Sequence, residues 1–204
     1  ALLVALFYGV HRLSQGVLAA MQREAREAGR VLGLAPVAMS RQEVEEKLAL
    51  EEGTVLSDPV VLEGSMRGAV VRLAAFARAS NTAVNGVRVP IVTTHVHAAL
   101  GTPLPVELTI GRRVFGTPAS DVLLGDAIDA QCWIQTSRPE VVRSRLASPA
   151  LRGRIVEFVL AGQGSAFVRG SHVETVVFHR SAERIRHAAR AAAALAIELG
   201  AAAR

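Results

Sequence analysis

The most suggestive chemistry in the sequence is a pair of histidines, His95 and His97, in the run TTHVHAAL. The β-branched residues around them predict a strand, and side chains two residues apart on a strand point to the same face. Both imidazoles could therefore reach one metal ion. A metal site needs a third ligand, which His172 or His179 could supply only if their strands were neighbours. We therefore expect no bound metal, and hydrogen-bonded or solvated histidines are the favoured interpretation.

Two carboxylates, Asp126 and Asp129, stand three residues apart in LLGDAIDAQ. Such a pair can act as general acid and base when a substrate lies between carboxyl groups about 5–10 Å apart. An aspartate that follows Gly125 and precedes a strand is also typical of a turn or a helix cap. The turn is the favoured interpretation, and no catalytic residue is assigned.

The remaining reactive or glycine-rich stretches lack the spacing that a known chemistry needs. In GQGSAFVRG, Phe167 stands where a dinucleotide fingerprint has its third glycine, and the stretch precedes a strand instead of a helix. Cys132 is the single cysteine and lies beside Trp133 in an apolar run, which indicates a buried and inert thiol. We expect no cofactor, and a non-enzymatic protein is favoured over an enzyme.

Composition argues against nucleic-acid binding. The chain has 204 residues and a net charge of +5, but Lys47 is the sole lysine among 23 basic residues, and the arginines are scattered among acids. DNA binding would need basic residues clustered on one face of a recognisable module. RNA binding would need stacking aromatic residues, which make up only 4 % of the chain.

The sequence predicts that the elements which position the histidines are strands, and that helices follow them. Short β-branched runs separated by Gly, Pro, Asn and Asp occupy residues 55–134, and Asn85-Gly86 is the best hairpin turn among them. A second hairpin is predicted across Gly170-Ser171. The absence of regular βαβ alternation predicts an α+β fold with an antiparallel sheet of about five to seven strands.

Helices are predicted to pack on this sheet from the C-terminal part of the chain. Residues 139–161 suit one or two helices divided at Ser148-Pro149. The alanine-rich run after Ser181 predicts a final helix, with Ser181 as its N-cap and Gly200 just past its end.

The chain opens on ten residues without a charge, Ala1–Val10. A membrane-spanning helix needs about 20 apolar residues. We therefore expect this run to be the exit half of a span, and the alternative is a buried N-terminal helix of a soluble domain. The residues expected to contact lipid or a membrane-protein partner are Leu2, Leu3, Ala5, Leu6, Phe7, Tyr8, Gly9 and Arg12.

An amphipathic helix should continue from the apolar run and end near Gly29 or Gly33, because apolar residues recur at four-residue spacing from Leu13 to Ala25. Its arginines place this flank in the cytoplasm under the positive-inside rule. Ser40 and Glu43 then form a capping box that opens an acidic helix over residues 41–52. The sequence therefore divides into three segments. Residues 1–34 form the end of the membrane anchor and an amphipathic helix, residues 35–54 form an acidic linker helix, and residues 55–204 form a cytoplasmic α+β domain.

The order of several short motifs supports this layout. After the N-terminal span come GRVLGL, LEGSMRGAVVRL, LLGDAIDAQCWI and RLASPALRGRI, and an alanine-rich helix closes the chain. In this order the sequence resembles a domain-of-unknown-function family of bacterial membrane proteins. The resemblance implies one span, a cytoplasmic α+β domain and a location at the bacterial inner membrane, and it implies no activity.

These observations favour a non-catalytic accessory or scaffolding subunit of a bacterial membrane protein complex, anchored by its N-terminal helix. Its expected partners are membrane lipid and membrane proteins in a larger hetero-oligomer, and nucleic acid is not among them. The alternative is an enzyme or ligand-binding module whose site lies near His95, His97, Asp126 and Asp129.

Overall fold

A computed structural model describes residues 2–48, 50, 53–84, 87–114, 116–125, 127–162, 166–178 and 181–202. In chain order, the elements are α1 (Leu2–Leu32), β1 (Ala35–Val37), α2 (Arg41–Lys47), β2 (Val60–Met66), β3 (Ala69–Val84), β4 (Val87–Ala99), β5 (Leu108–Arg112), α3 (Ala127–Gln131), β6 (Cys132–Thr136), α4 (Pro139–Arg145), α5 (Pro149–Ala161), β7 (Ala166–Arg169), β8 (His172–Val177) and α6 (Ala182–Ala202). The helix break at Ser148-Pro149 and the hairpin β7–β8 are where the sequence predicted them.

One antiparallel sheet contains all eight strands, in the order β1-β2-β3-β4-β8-β7-β5-β6. The α+β class and the antiparallel sheet are therefore confirmed, but the strand count exceeds the predicted five to seven. The additional strand is β1, which lies in the segment 35–54 that was expected to be a linker helix. Ala35 lies opposite Glu63 and Val37 lies opposite Val61, so this short segment forms the edge of the sheet.

Two helix ends differ from those predicted. The capping box at Ser40 is present, with the Glu43 N–H donating to Ser40 Oγ and the Ser40 N–H donating to the Glu43 carboxylate. However, α2 ends at Lys47 instead of near Glu52, and Leu48 is its C-cap residue. At the other end of the chain, α6 continues through Gly200 to Ala202, since Leu199 before the glycine and Ala201 after it are strong helix formers.

The first helix joins the apolar start of the chain to the folded domain without a break. The amphipathic pattern predicted a helix here, and the structure buries its Met21 and Ala25, together with Ala28, in the main core against the sheet. The helix ends before Gly33, whose φ of 72° favours glycine. Among the residues that the structure describes, no helix combines the length and apolarity that crossing a membrane requires.

The last helix lies between α1 and α5 and packs across β3, β4 and β8. Its sheet-facing side consists largely of fully buried alanines, including Ala188, Ala189, Ala192 and Ala196. Because these side chains are small, the helix axis can approach the strands closely, and the contact leaves little room for a larger side chain.

We expect Ala189→Leu to lower the free energy of unfolding by about 1–3 kcal/mol, because the added carbons must be forced into a filled space. A thermal or denaturant melt measures the loss. Ala201→Leu, at an exposed position of the same helix, is the control and should leave the melt nearly unchanged. Equal stabilities of the two variants would mean that α6 is not closely packed at Ala189.

Candidate functional site

The two predicted histidines lie on the face of the sheet opposite α1 and α6. On β4, Val96 and Ala98 point into the main helical core, so the alternating residues His95 and His97 point to the other face. The neighbouring strand β8 runs antiparallel to β4, and Glu174 lies directly opposite His97. The same face of β8 carries His172, two residues from Glu174.

Glu174 links the two histidines. Its Oε1 lies 2.8 Å from His95 Nδ1 and 3.7 Å from His97 Nε2. The first distance is a hydrogen bond, whereas the second is too long for one. With Nδ1 of His95 donating to the carboxylate, the Nε2 of a neutral His95 ring is an unprotonated acceptor.

This group is buried and partly unsatisfied. The side chains of His95, His97 and Glu174 expose only 3 %, 7 % and 4 % of their surface, respectively. Among the described residues, the structure provides no hydrogen-bond partner for His95 Nε2, His97 Nε2 or Glu174 Oε2. Most buried polar atoms in proteins are hydrogen-bonded, so three unpartnered atoms within one cluster indicate a site that can accept a ligand.

A row of rings extends from this cluster in two directions. Phe76 stacks on His95 with ring centroids 5.0 Å apart and belongs to the small core formed around α2. On the other side, the His172 ring lies 5.0 Å from that of His97. His172 also borders a cleft of about 760 Å³, whose walls include Thr109, Gln135, Phe167 and Arg169. The cluster is therefore covered at Phe76 and adjoins a cleft at His172.

Burial and the carboxylate set the charge of the cluster. Burial lowers the pKa of His97 to about 3, despite the opposing effect of the nearby Glu174 carboxylate, and burial also lowers the pKa of His172. Burial alone would raise the pKa of Glu174, but the hydrogen bond from His95 and the nearby histidines lower it below its usual value. At neutral pH, Glu174 is therefore ionised, and His97 and His172 are neutral.

Part of this arrangement is predictable from the sequence. His95 and His97 share a face as predicted, and His172 joins them because β8 is indeed the neighbour of β4. Glu174 was missed. The available signal was an acidic residue inside the β-branched run HVETVVF, two residues from His172, which repeats the polar spacing of His95 and His97.

The other candidate residues do not join the cluster. The Asp129 carboxylate accepts hydrogen bonds from the backbone N–H groups of Leu124 and Gly125, which is the role expected at a turn. Cys132 is buried, and burial raises the pKa of its thiol to about 11, so it is a poor nucleophile. Asp126 and His179 lie outside the described residues.

The side chains predicted to contact the membrane also lie outside the described part of the chain, although the backbone of Leu2–Leu32 is helical. They are Leu2, Leu3, Ala5, Leu6, Phe7, Tyr8, Gly9 and Arg12. Their contacts with lipid or with a partner stay a prediction.

We expect Glu174→Ala to lower the free energy of unfolding by about 1–3 kcal/mol, because it leaves the buried Nδ1–H of His95 without an acceptor. The measurement is a denaturant melt in the presence of a chelator, so that no bound ion contributes. Glu107→Ala removes an exposed carboxylate and should change stability by less than about 0.5 kcal/mol. A Glu174→Ala protein as stable as Glu107→Ala would contradict the hydrogen-bonded geometry.

Comparison with known proteins shows that the fold of this chain is similar to that of a solved structure. No protein family and no curated protein matches the sequence. The structure resembles the crystal structure of the mycobacterial trehalose monomycolate transport factor A, TtfA, with a TM-score of 0.55 and 11 % sequence identity. The match covers 90 % of this chain and 94 % of that one. This protein therefore shares its overall fold with a transport factor, across nearly the whole length of both chains.

Proposed function

We propose that this protein is a non-catalytic accessory subunit of a bacterial membrane protein complex, held at the cytoplasmic side of the inner membrane by the first turns of α1. The observation that carries the proposal is the continuity of α1. One helix begins with the uncharged run and ends with Met21, Ala25 and Ala28 buried in the main core. Whatever contacts the apolar turns is thereby connected to the folded domain through a continuous helix.

The charge along α1 supports the orientation. Arg12 closes the apolar run, and the exposed Arg23, Arg26 and Arg30 follow on the same helix. Basic residues next to an apolar segment favour the cytoplasmic side of a membrane. We assign the contact with lipid and membrane protein to residues 2–10, with Arg12 at the cytoplasmic interface.

The likeness of fold supports an accessory role in a limited way. The name of the structural neighbour describes a factor in transport of a mycolate lipid. A transport factor, as that title names it, is compatible with the accessory role that we propose here. The sequence favours the same role, because no catalytic motif is evident in it.

The proposal is tested by placing charges in the apolar turns. We expect most of the unaltered chain to sediment with membranes and to resist carbonate extraction. The double variant Leu6→Glu/Phe7→Glu should lower the sedimented fraction at least about tenfold, because a carboxylate costs several kcal/mol within a bilayer. Leu160→Glu, on a helix surface where the leucine is already 50 % exposed, is the matched control and should sediment like the unaltered chain.

A shortened chain that begins at Leu13 separates anchoring from folding. It keeps Met21, Ala25 and Ala28 in the core, so it should remain folded while losing membrane association. Partner proteins that co-purify in mild detergent should be lost with the double variant. The proposal is wrong if the unaltered chain stays in solution without detergent, or if the double variant sediments as strongly as the control.

The alternative function, a ligand-binding module or enzyme near His95 and His97, has one observation in its favour. The buried cluster lies next to the cleft through His172, whose ring borders both. Asp129, by contrast, is engaged in a turn and gives this alternative no support.

A further inference from the structure

We propose that His95, His97 and Glu174 bind one divalent transition-metal ion. Each residue offers a ligand atom, and these atoms lie within 4.8 Å of one another. The sequence argued against a metal because no third ligand was evident. Pairing of β8 with β4 supplies that ligand, because Glu174 lies opposite His97 and within hydrogen-bond distance of His95.

The two distances from the Glu174 carboxylate to the imidazole nitrogens suit an ion of this size. With metal–ligand bonds of about 2.0–2.1 Å, two ligands of a tetrahedral site lie about 3.3 Å apart. The observed separations from Glu174 Oε1, 2.8 Å to His95 Nδ1 and 3.7 Å to His97 Nε2, lie on either side of this value. Shifts of about half an ångström would equalise these two distances. The separation between the ligand nitrogens of the two histidines, which is at most 4.8 Å, must close as well. Side-chain rotations can supply such movements.

Binding requires a change of tautomer at His95. In the metal-free structure, Nδ1 carries the proton that bonds to Glu174. When Nδ1 binds the ion, the proton of a neutral ring moves to Nε2, which has no hydrogen-bond partner among the described residues. His97 uses Nε2, which is also unpartnered. The ion thereby replaces the hydrogen bond between His95 and Glu174. It also gives His97 Nε2 a partner that the metal-free cluster does not provide.

The ligand set determines which class of ion fits. Two imidazoles and one carboxylate suit zinc and other first-row transition metals, whereas magnesium and calcium prefer sites made entirely of oxygen. Three protein ligands leave at least one coordination position open. His172, whose ring lies 5.0 Å from that of His97 between centroids, is the nearest further imidazole among the described residues, and it borders the cleft.

This inference is independent of the proposed accessory function, because the cluster lies on the sheet face opposite α1 and needs neither lipid nor a partner protein. A metal in this position would bind β4 to β8. It would therefore stabilise the sheet between its two halves whether or not it also performs chemistry.

The test is metal binding by the full chain, purified in mild detergent and stripped with a chelator. Cobalt(II) should bind with a stoichiometry of one per chain and give the visible absorption of a four- or five-coordinate site, and zinc should displace it. Magnesium should do neither. His97→Ala and Glu174→Gln should each weaken cobalt and zinc binding at least about 100-fold, since changes outside the first coordination sphere already cost 10–100-fold.

His187→Ala removes an exposed histidine from α6 and is the control, which should bind cobalt as the unaltered chain does. Melts in the presence of chelator show whether each variant is folded. Glu174→Gln keeps the size of the side chain and an acceptor for His95, so it decides the question if His97→Ala does not fold. Absence of one-to-one cobalt binding by the unaltered chain overturns the proposal. Binding that survives Glu174→Gln, or that is lost with His187→Ala, also overturns it.

Discussion

The pairing of β4 with β8 is the interaction on which the rest of the structure depends. Strands β1 to β4 follow one another in space as they do in sequence, and β8, β7, β5 and β6 form the other half of the sheet. Within the described sheet, the β4–β8 ladder is what joins the halves. His95 and Glu174, whose hydrogen bond crosses it, are 79 residues apart in the chain. Folding must therefore close a long loop before this contact can contribute.

Polar residues at this junction also constrain how the strands can align. Side chains alternate between the two faces of each strand, so a slip of one residue along β8 would turn Glu174 into the alanine-rich core beneath α6. An ionised carboxylate without a partner in that core would be strongly unfavourable. The native register instead places Glu174 between His95 and His97. A fully apolar junction would avoid the desolvation of these groups, but it would discriminate less well between one register and the next.

The sequence predicts the local elements well and the long-range contacts poorly. The capping box at Ser40, the helix break at Pro149 and the hairpin β7–β8 depend on residues close together in the chain, where turn and cap preferences act directly. The edge strand β1 was missed because a three-residue segment with a proline at its centre carries almost no strand pattern of its own. Glu174 was missed as a cluster member for a different reason. Its role depends on which strand lies beside β4, and nothing in the local pattern of either strand specifies that neighbour.

The continuity of α1 has a consequence for geometry. An α-helix turns by about 100° and rises about 1.5 Å with each residue. The direction in which the apolar turns face is therefore determined by the number of residues between Val10 and Met21, where the helix becomes buried in the core. One residue inserted near Gly16, where an added Cβ would meet no other part of the protein within 4 Å, would turn the apolar end by more than a quarter of a revolution relative to the sheet. Four inserted residues would nearly restore its direction at a greater distance. The number of residues in this part of the helix therefore determines how the sheet is oriented relative to the apolar turns.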